Sequence, residues 1–124
     1  MGLMIYEQIK AAIPALKTTK GKIVLVSSGA ATGAYSAWGA YGASKAALNH
    51  VAMTLAVEEP DITTVAVRPG TVDTEMQREI REKHQNTMDK KDHEKFSGLH
   101  TKGELLKPEP VSYTHLTLPT ILRV

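Results

Sequence analysis

The chain has 124 residues, a formal net charge of +2, no cysteine, and apolar and charged shares of 42% and 23%. That length fits one small domain rather than two, and the balanced composition argues against bulk disorder. So small a charge gives no ground for nucleic acid or an anionic surface as partner, and the missing thiols exclude disulfides and thiolate metal sites.

No apolar run approaches the roughly 20 residues of a membrane helix. At the N-terminus Glu7 and Lys10 interrupt the stretch a signal peptide needs, and Tyr6 stands where a myristoylation motif has Ser or Thr. A cytoplasmic protein is the expectation. Ile5, Ile9, Ala12, Ile13 and Leu16 recur at helical spacing over residues 3–17, with Pro14 weakening the last turn. Thr18 to Lys22 reads as a polar turn around Gly21. Ile23 to Val26 is a short β-branched run of the kind buried on both faces of a parallel sheet. Small residues and glycines from Ser27 to Gly42 predict a loop where backbone approaches a ligand closely. A helix is expected from about Tyr41 to Val57, stopped by Pro60, and then a strand at Thr63 to Val67 closed by Pro69 and Gly70.

Strand, loop, helix, strand makes one βαβ unit of a parallel sheet, so the class is α/β. Two strands cannot cover their own faces, which implies neighbours. Glu75 to Lys107 is charged and sparse in apolar residues, and suits a mobile helical excursion over a site better than core. Val111 to Thr120 back-translates to a string resembling the end of a transposase-based sequencing adapter read in frame. Residues 111–124 are therefore expected to be a non-native tail and 1–110 the native part. A strand of alternating Tyr, His and Leu is the alternative.

Tyr41 and Lys45 stand four apart on the expected helix, so they rise from one face. An ammonium beside a phenol favours the phenolate and equips it for proton transfer near neutral pH. Ser28 precedes Tyr41 by thirteen positions, just beyond the first strand's carboxyl end, where ligands bind in open α/β sheets. Its hydroxyl suits a carbonyl; a turn or cap serine is the plainer reading. Thr71 and Thr74 follow the second strand and offer hydroxyls to an amide-bearing ligand, though a strand-to-helix turn capped by Thr74 needs the same residues. His84, His93 and His100 match no common metal-ligand spacing, so a solvated face is expected and no metal. Trp38 either lines a substrate pocket or packs against the charged excursion.

Val26-Ser-Ser-Gly29, Tyr41-Gly-Ala-Ser-Lys-Ala-Ala47 and Arg68-Pro-Gly-Thr-Val-Asp-Thr74, in that order and at those separations, resemble the catalytic half of the classical short-chain dehydrogenases/reductases over about residues 5–110. The resemblance implies the C-terminal half of a Rossmann-like, doubly wound parallel sheet. It implies an oxidoreductase that reduces a small carbonyl compound, or oxidises the alcohol, with NADP or NAD, NADP being favoured. Ser28 would polarise the carbonyl and Tyr41 act as general acid. Lys45 would hold the nicotinamide ribose and assist ionisation of the tyrosine. Tyr41, Lys45, Pro69, Gly70, Val72 and Thr74 would form the cofactor contacts, and the parent would be a homodimer or homotetramer. Among subfamilies the chain is most similar to fungal carbonyl reductases of the sepiapterin- or benzil-reductase type. Two family features are missing: the Gly-rich pyrophosphate turn, and an asparagine in or before the helix preceding Ser28. Asn49 and Asn86 lie in the wrong segments to replace it. The expectation is an inactive fragment that lacks the nucleotide-binding front end. An epimerase or dehydratase sharing Tyr-x-x-x-Lys, or a silent dimerisation module, are the alternatives.

Overall fold

The computed structural model describes residues 2–83 and 86–109. Helix α1 (Gly2–Thr19) extends past the expected 3–17. Pro14 stands inside it without ending it, and the Thr18 and Thr19 hydroxyls donate to the Pro14 and Ala15 carbonyls, each at 3.1 Å. The helix closes as a Schellman end: Lys20 takes a left-handed φ of 50°, and the Gly21 N–H donates to the Leu16 carbonyl at 2.8 Å. That closure turns the chain directly into strand β1 (Lys22–Val26).

Strand β2 (Thr63–Val67) lies parallel to β1, with Val24 opposite Val65 and Leu25 opposite Ala66. Helix α2 (Gly39–Glu58) makes the crossover between them. It buries Leu48, Ala52 and Leu55, whose spacing of four and three places them on one face. Ile9, Leu25, Ala52 and Leu55 form the main core, with Ile5, Ile13, Ile23, Val51 and Ala66 packed around them. Ala12 stays exposed, so the buried stripe of α1 is the i, i+4 row of Ile5, Ile9 and Ile13. Lys17 and Glu59 pair at 2.7 Å and join the ends of α1 and α2; the carboxylate raises the lysine's pKa above its ordinary value.

Both helices pack on the residues of one sheet face, Ile23, Leu25 and Ala66. Val24 and Val26 on the opposite face are 45% and 54% exposed. The expected burial on both faces is thus met on one, because no second helical layer covers Val24 and Val26 among the described residues.

The charged segment is helical, as expected, but it also carries a core that was not. It holds helices α3 (Glu75–Lys83) and α4 (Lys90–Thr101), and Ile80, Met88 and Phe96 meet in a second buried cluster with Tyr35 and Trp38 against it. Three of its apolar side chains converge, which makes a small core out of a sparse composition. The His93 Nε2–H donates to the Arg81 carbonyl at 3.0 Å and ties α4 to α3. His84 and the 111–124 tail lie outside the described residues. Among those that are described, no helix is long and apolar enough to cross a membrane.

Candidate active site

The β1–β2 ladder continues one residue past β1, where the Ser27 N–H donates to the Val67 carbonyl at 2.8 Å. Ser28 then leaves the sheet at its carboxyl edge. It caps a short 3-10 helix (Gly29–Ala31), its Oγ accepting the Ala30 N–H at 3.2 Å. A hydroxyl that accepts in this way still has its proton to donate. Both the cap reading and an available donor therefore apply to the same side chain.

Tyr41 sits in the first turn of α2 and Lys45 one turn later on the same face. The Lys45 ammonium donates to the Val26 carbonyl at 2.8 Å and lies 5.7 Å from the centre of the Tyr41 ring. That carbonyl is two residues before Ser28. The last carbonyl of β1 thus anchors the lysine beside the tyrosine, and two of the three ammonium hydrogens remain for a ligand.

The approach of α2 to the Ser28 turn requires a glycine. A Cβ on Gly42 would come 2.7 Å from the Ala30 carbonyl oxygen, closer than real Cβ atoms come. Gly42→Ala should push the turn away from Tyr41, lowering both turnover and melting temperature in the full-length protein, with an overpacking cost of about 1–3 kcal/mol. Gly39→Ala is the control, because a Cβ there meets nothing within 4 Å. Equal behaviour of the two variants in an activity and melting assay would show that the close approach is immaterial.

Trp38 meets the Tyr41 ring edge-on at 5.4 Å and stacks on Phe96 at 5.3 Å. Of its two expected roles, packing against the excursion is the one observed, and it adds a contact with the tyrosine. Tyr35 completes the aromatic group, 5.6 Å from Trp38 and 6.0 Å from Phe96, and Lys95 donates to its hydroxyl at 3.3 Å.

The turn after β2 reaches the same end of the sheet. Gly70 takes φ +83°, a left-handed conformation that favours glycine. Val72 forms a parallel bridge with Leu106: the Leu106 N–H donates to the Thr71 carbonyl at 3.0 Å, and the Asp73 N–H donates to the Leu106 carbonyl at 2.8 Å. The Thr74 carbonyl accepts from Arg78 N–H at 3.1 Å and opens α3. Ser28, Tyr41 and Lys45 therefore gather at the end of β1, and Pro69 to Thr74 leave the neighbouring end of β2. Sequence reasoning did not single out Leu106, Ser36 or Asp92. Asp89 and Asp92 carry a helix-start spacing that marks α4, but nothing local points to Ser36 as their partner. Among the described residues no three His, Asp or Glu side chains gather as a metal site.

The profile of the short chain dehydrogenase family matches residues 4–85. An uncharacterized oxidoreductase of Schizosaccharomyces pombe is 50% identical over 109 residues, covering 87% of this chain and 44% of that protein. A benzil reductase ((S)-benzoin forming) of Saccharomyces cerevisiae is 47% identical over 102 residues, covering 78% of this chain and 39% of its own. The crystal structure of the KRED1-Pglu enzyme superposes with a TM-score of 0.89 at 40% identity, over 96% of this chain and 50% of that one. The chain spans half the length of these relatives or less.

Proposed function

The chain belongs to the short-chain dehydrogenase family, and from that premise we propose that it is the catalytic half of an NAD(P)-dependent reductase of small carbonyl compounds. The observation that carries this reading is the Lys45 ammonium on the Val26 carbonyl, one helical turn from Tyr41 and two residues from Ser28. It puts a cation, a phenol and a hydroxyl at the carboxyl edge of a parallel sheet, where such folds bind ligands.

The donor set fits the nicotinamide end of the cofactor. Lys45 has hydrogens left for ribose hydroxyls, and the Pro69–Thr74 turn presents peptide groups and two threonines to a carboxamide. No described residue supplies a pyrophosphate seat of the Gly-rich kind. When bound, the reduced nicotinamide supplies the hydride that adds to the carbonyl carbon. The Ser28 hydroxyl donates to the carbonyl oxygen and stabilises the charge developing there. The Tyr41 hydroxyl delivers the proton that completes the alcohol. Lys45, held beside the Tyr41 ring by its bond to the Val26 carbonyl, would hold the ribose.

The test uses the full-length protein carrying these residues, with NADPH or NADH and benzil, the diketone named for the yeast relative. Consumption of the cofactor is the expected result, with NADPH preferred. Ser28→Ala should lower turnover about 10²–10³-fold, the usual effect of removing one oxyanion donor. Failure to oxidise either cofactor with benzil or an aliphatic diketone overturns the reading.

A further inference from the structure

Ser36, on the loop that leads to Tyr41, holds the start of α4. Its N–H donates to Asp92 Oδ2 at 3.0 Å and its hydroxyl donates to the same oxygen at 3.3 Å, while its Oγ accepts the Asp89 N–H at 2.7 Å. Asp89 is the N-cap residue of α4, yet its own side chain makes no capping bond. A helix start leaves N–H groups without partners, and the third helical residue commonly reaches back to the cap to satisfy one. Asp92 occupies that third position, but its link to the cap residue runs through the Ser36 hydroxyl, 53 positions upstream.

The arrangement continues towards the tyrosine. Ala37 takes φ +64°, a left-handed conformation that a residue with a Cβ keeps where its surroundings hold it. Trp38 follows, stacked on Phe96 of α4 and edge-on to Tyr41. Beyond α4, Leu106 is bonded to Thr71 and Asp73 of the turn after β2. The excursion therefore grips the loop before Tyr41 at one end and the turn proposed to hold the nicotinamide at the other.

We infer that Asp92 is a positioning residue: through Ser36 and Trp38 its carboxylate fixes the Tyr41 ring for proton transfer, so that docking of α4 and readiness of the acid are one event. The inference rests on the proposed role of Tyr41.

Two readouts on the full-length protein test it. The first is steady-state reduction of benzil. The second is the fluorine resonance of 5-fluorotryptophan at position 38, assigned by its loss in Trp38→Phe. Asp92→Ala should lower kcat about ten- to hundredfold, the scale of a small misplacement of a reacting group, with KM for NADPH within about twofold. The same variant should shift or broaden the Trp38 resonance. Asp92→Asn keeps an oxygen that accepts from Ser36 and should restore kcat to within about threefold of the parent. If Asp92→Ala does not fold, Ser36→Ala removes the shared hydroxyl alone and should move the same resonance. An unchanged resonance and kcat in these variants, or an equal loss in Asp92→Asn and Asp92→Ala, overturns the inference. A protein already inactive before substitution counts against the reductase reading, and the resonance by itself then decides whether Asp92 sets Trp38.

Discussion

Tyr41→Phe in the full-length protein is expected to reduce turnover about 10²–10⁴-fold, the usual contribution of a positioned general acid, while cofactor affinity stays close to that of the parent. The substitution removes one hydroxyl and leaves the ring that Trp38 meets edge-on. The aromatic packing, the Lys45 bond to Val26 and the Ser28 turn all persist, so the loss reads on the proton and not on the fold. Stopped-flow or steady-state reduction of benzil, paired with titration of NADPH by its fluorescence, separates the two quantities. Retention of more than roughly a tenth of the activity would remove Tyr41 from the role of acid.

The second large effect concerns the 124-residue chain by itself, which is expected neither to melt cooperatively as a monomer nor to bind NADPH measurably. Among the described residues its sheet has two strands, a number that gives marginal stability in water without packing on both sides. One face is covered by α1 and α2, whereas Val24 and Val26 on the other lie about half exposed. Each strand also keeps one unpaired edge among the described residues, and such edges recruit other chains. For the cofactor, Lys45 and the turn after β2 reach the nicotinamide end alone, while affinity in such folds depends heavily on the pyrophosphate seat. Dimerisation through the exposed Met53 and Val57 of α2 is the competing route to order, and would show as a melting temperature that rises with concentration. Calorimetric titration with NADPH alongside thermal denaturation measures both halves of the expectation. A concentration-independent cooperative melt with micromolar binding would show that residues 1–110 are a self-sufficient domain.

Much of the architecture was legible in the residues because its signals are local. The run Ile23 to Val26 and the segment Thr63 to Val67 mark the two strands through β-branched composition and the glycines and prolines that bound them. The shared face of Tyr41 and Lys45 follows from the helical period, and the place of Ser28 from its following a strand end. Three short motifs in register then carried the family resemblance. Helix ends were less legible: α1 runs through Pro14 to Thr19, since threonine hydroxyls and a Schellman closure offset what the proline removes.

Other features were decided by the path of the chain. Asp92 and Ser36 are 56 positions apart, Lys95 and Tyr35 are 60 apart, and neither residue of a pair carries a mark of the other. The charged segment gave no sign of a core, because Ile80, Met88 and Phe96 are isolated along the sequence and become neighbours when α3 and α4 fold together beside Trp38. The need for glycine at position 42 likewise depends on where the Ala30 carbonyl comes to rest. Periodicity and capping reach about four residues along the chain and so determine elements and their faces. Which faces meet depends on burial summed over the whole chain, and that is why the exposed side of Val24 and Val26, and the support behind Tyr41, were set by tertiary structure alone.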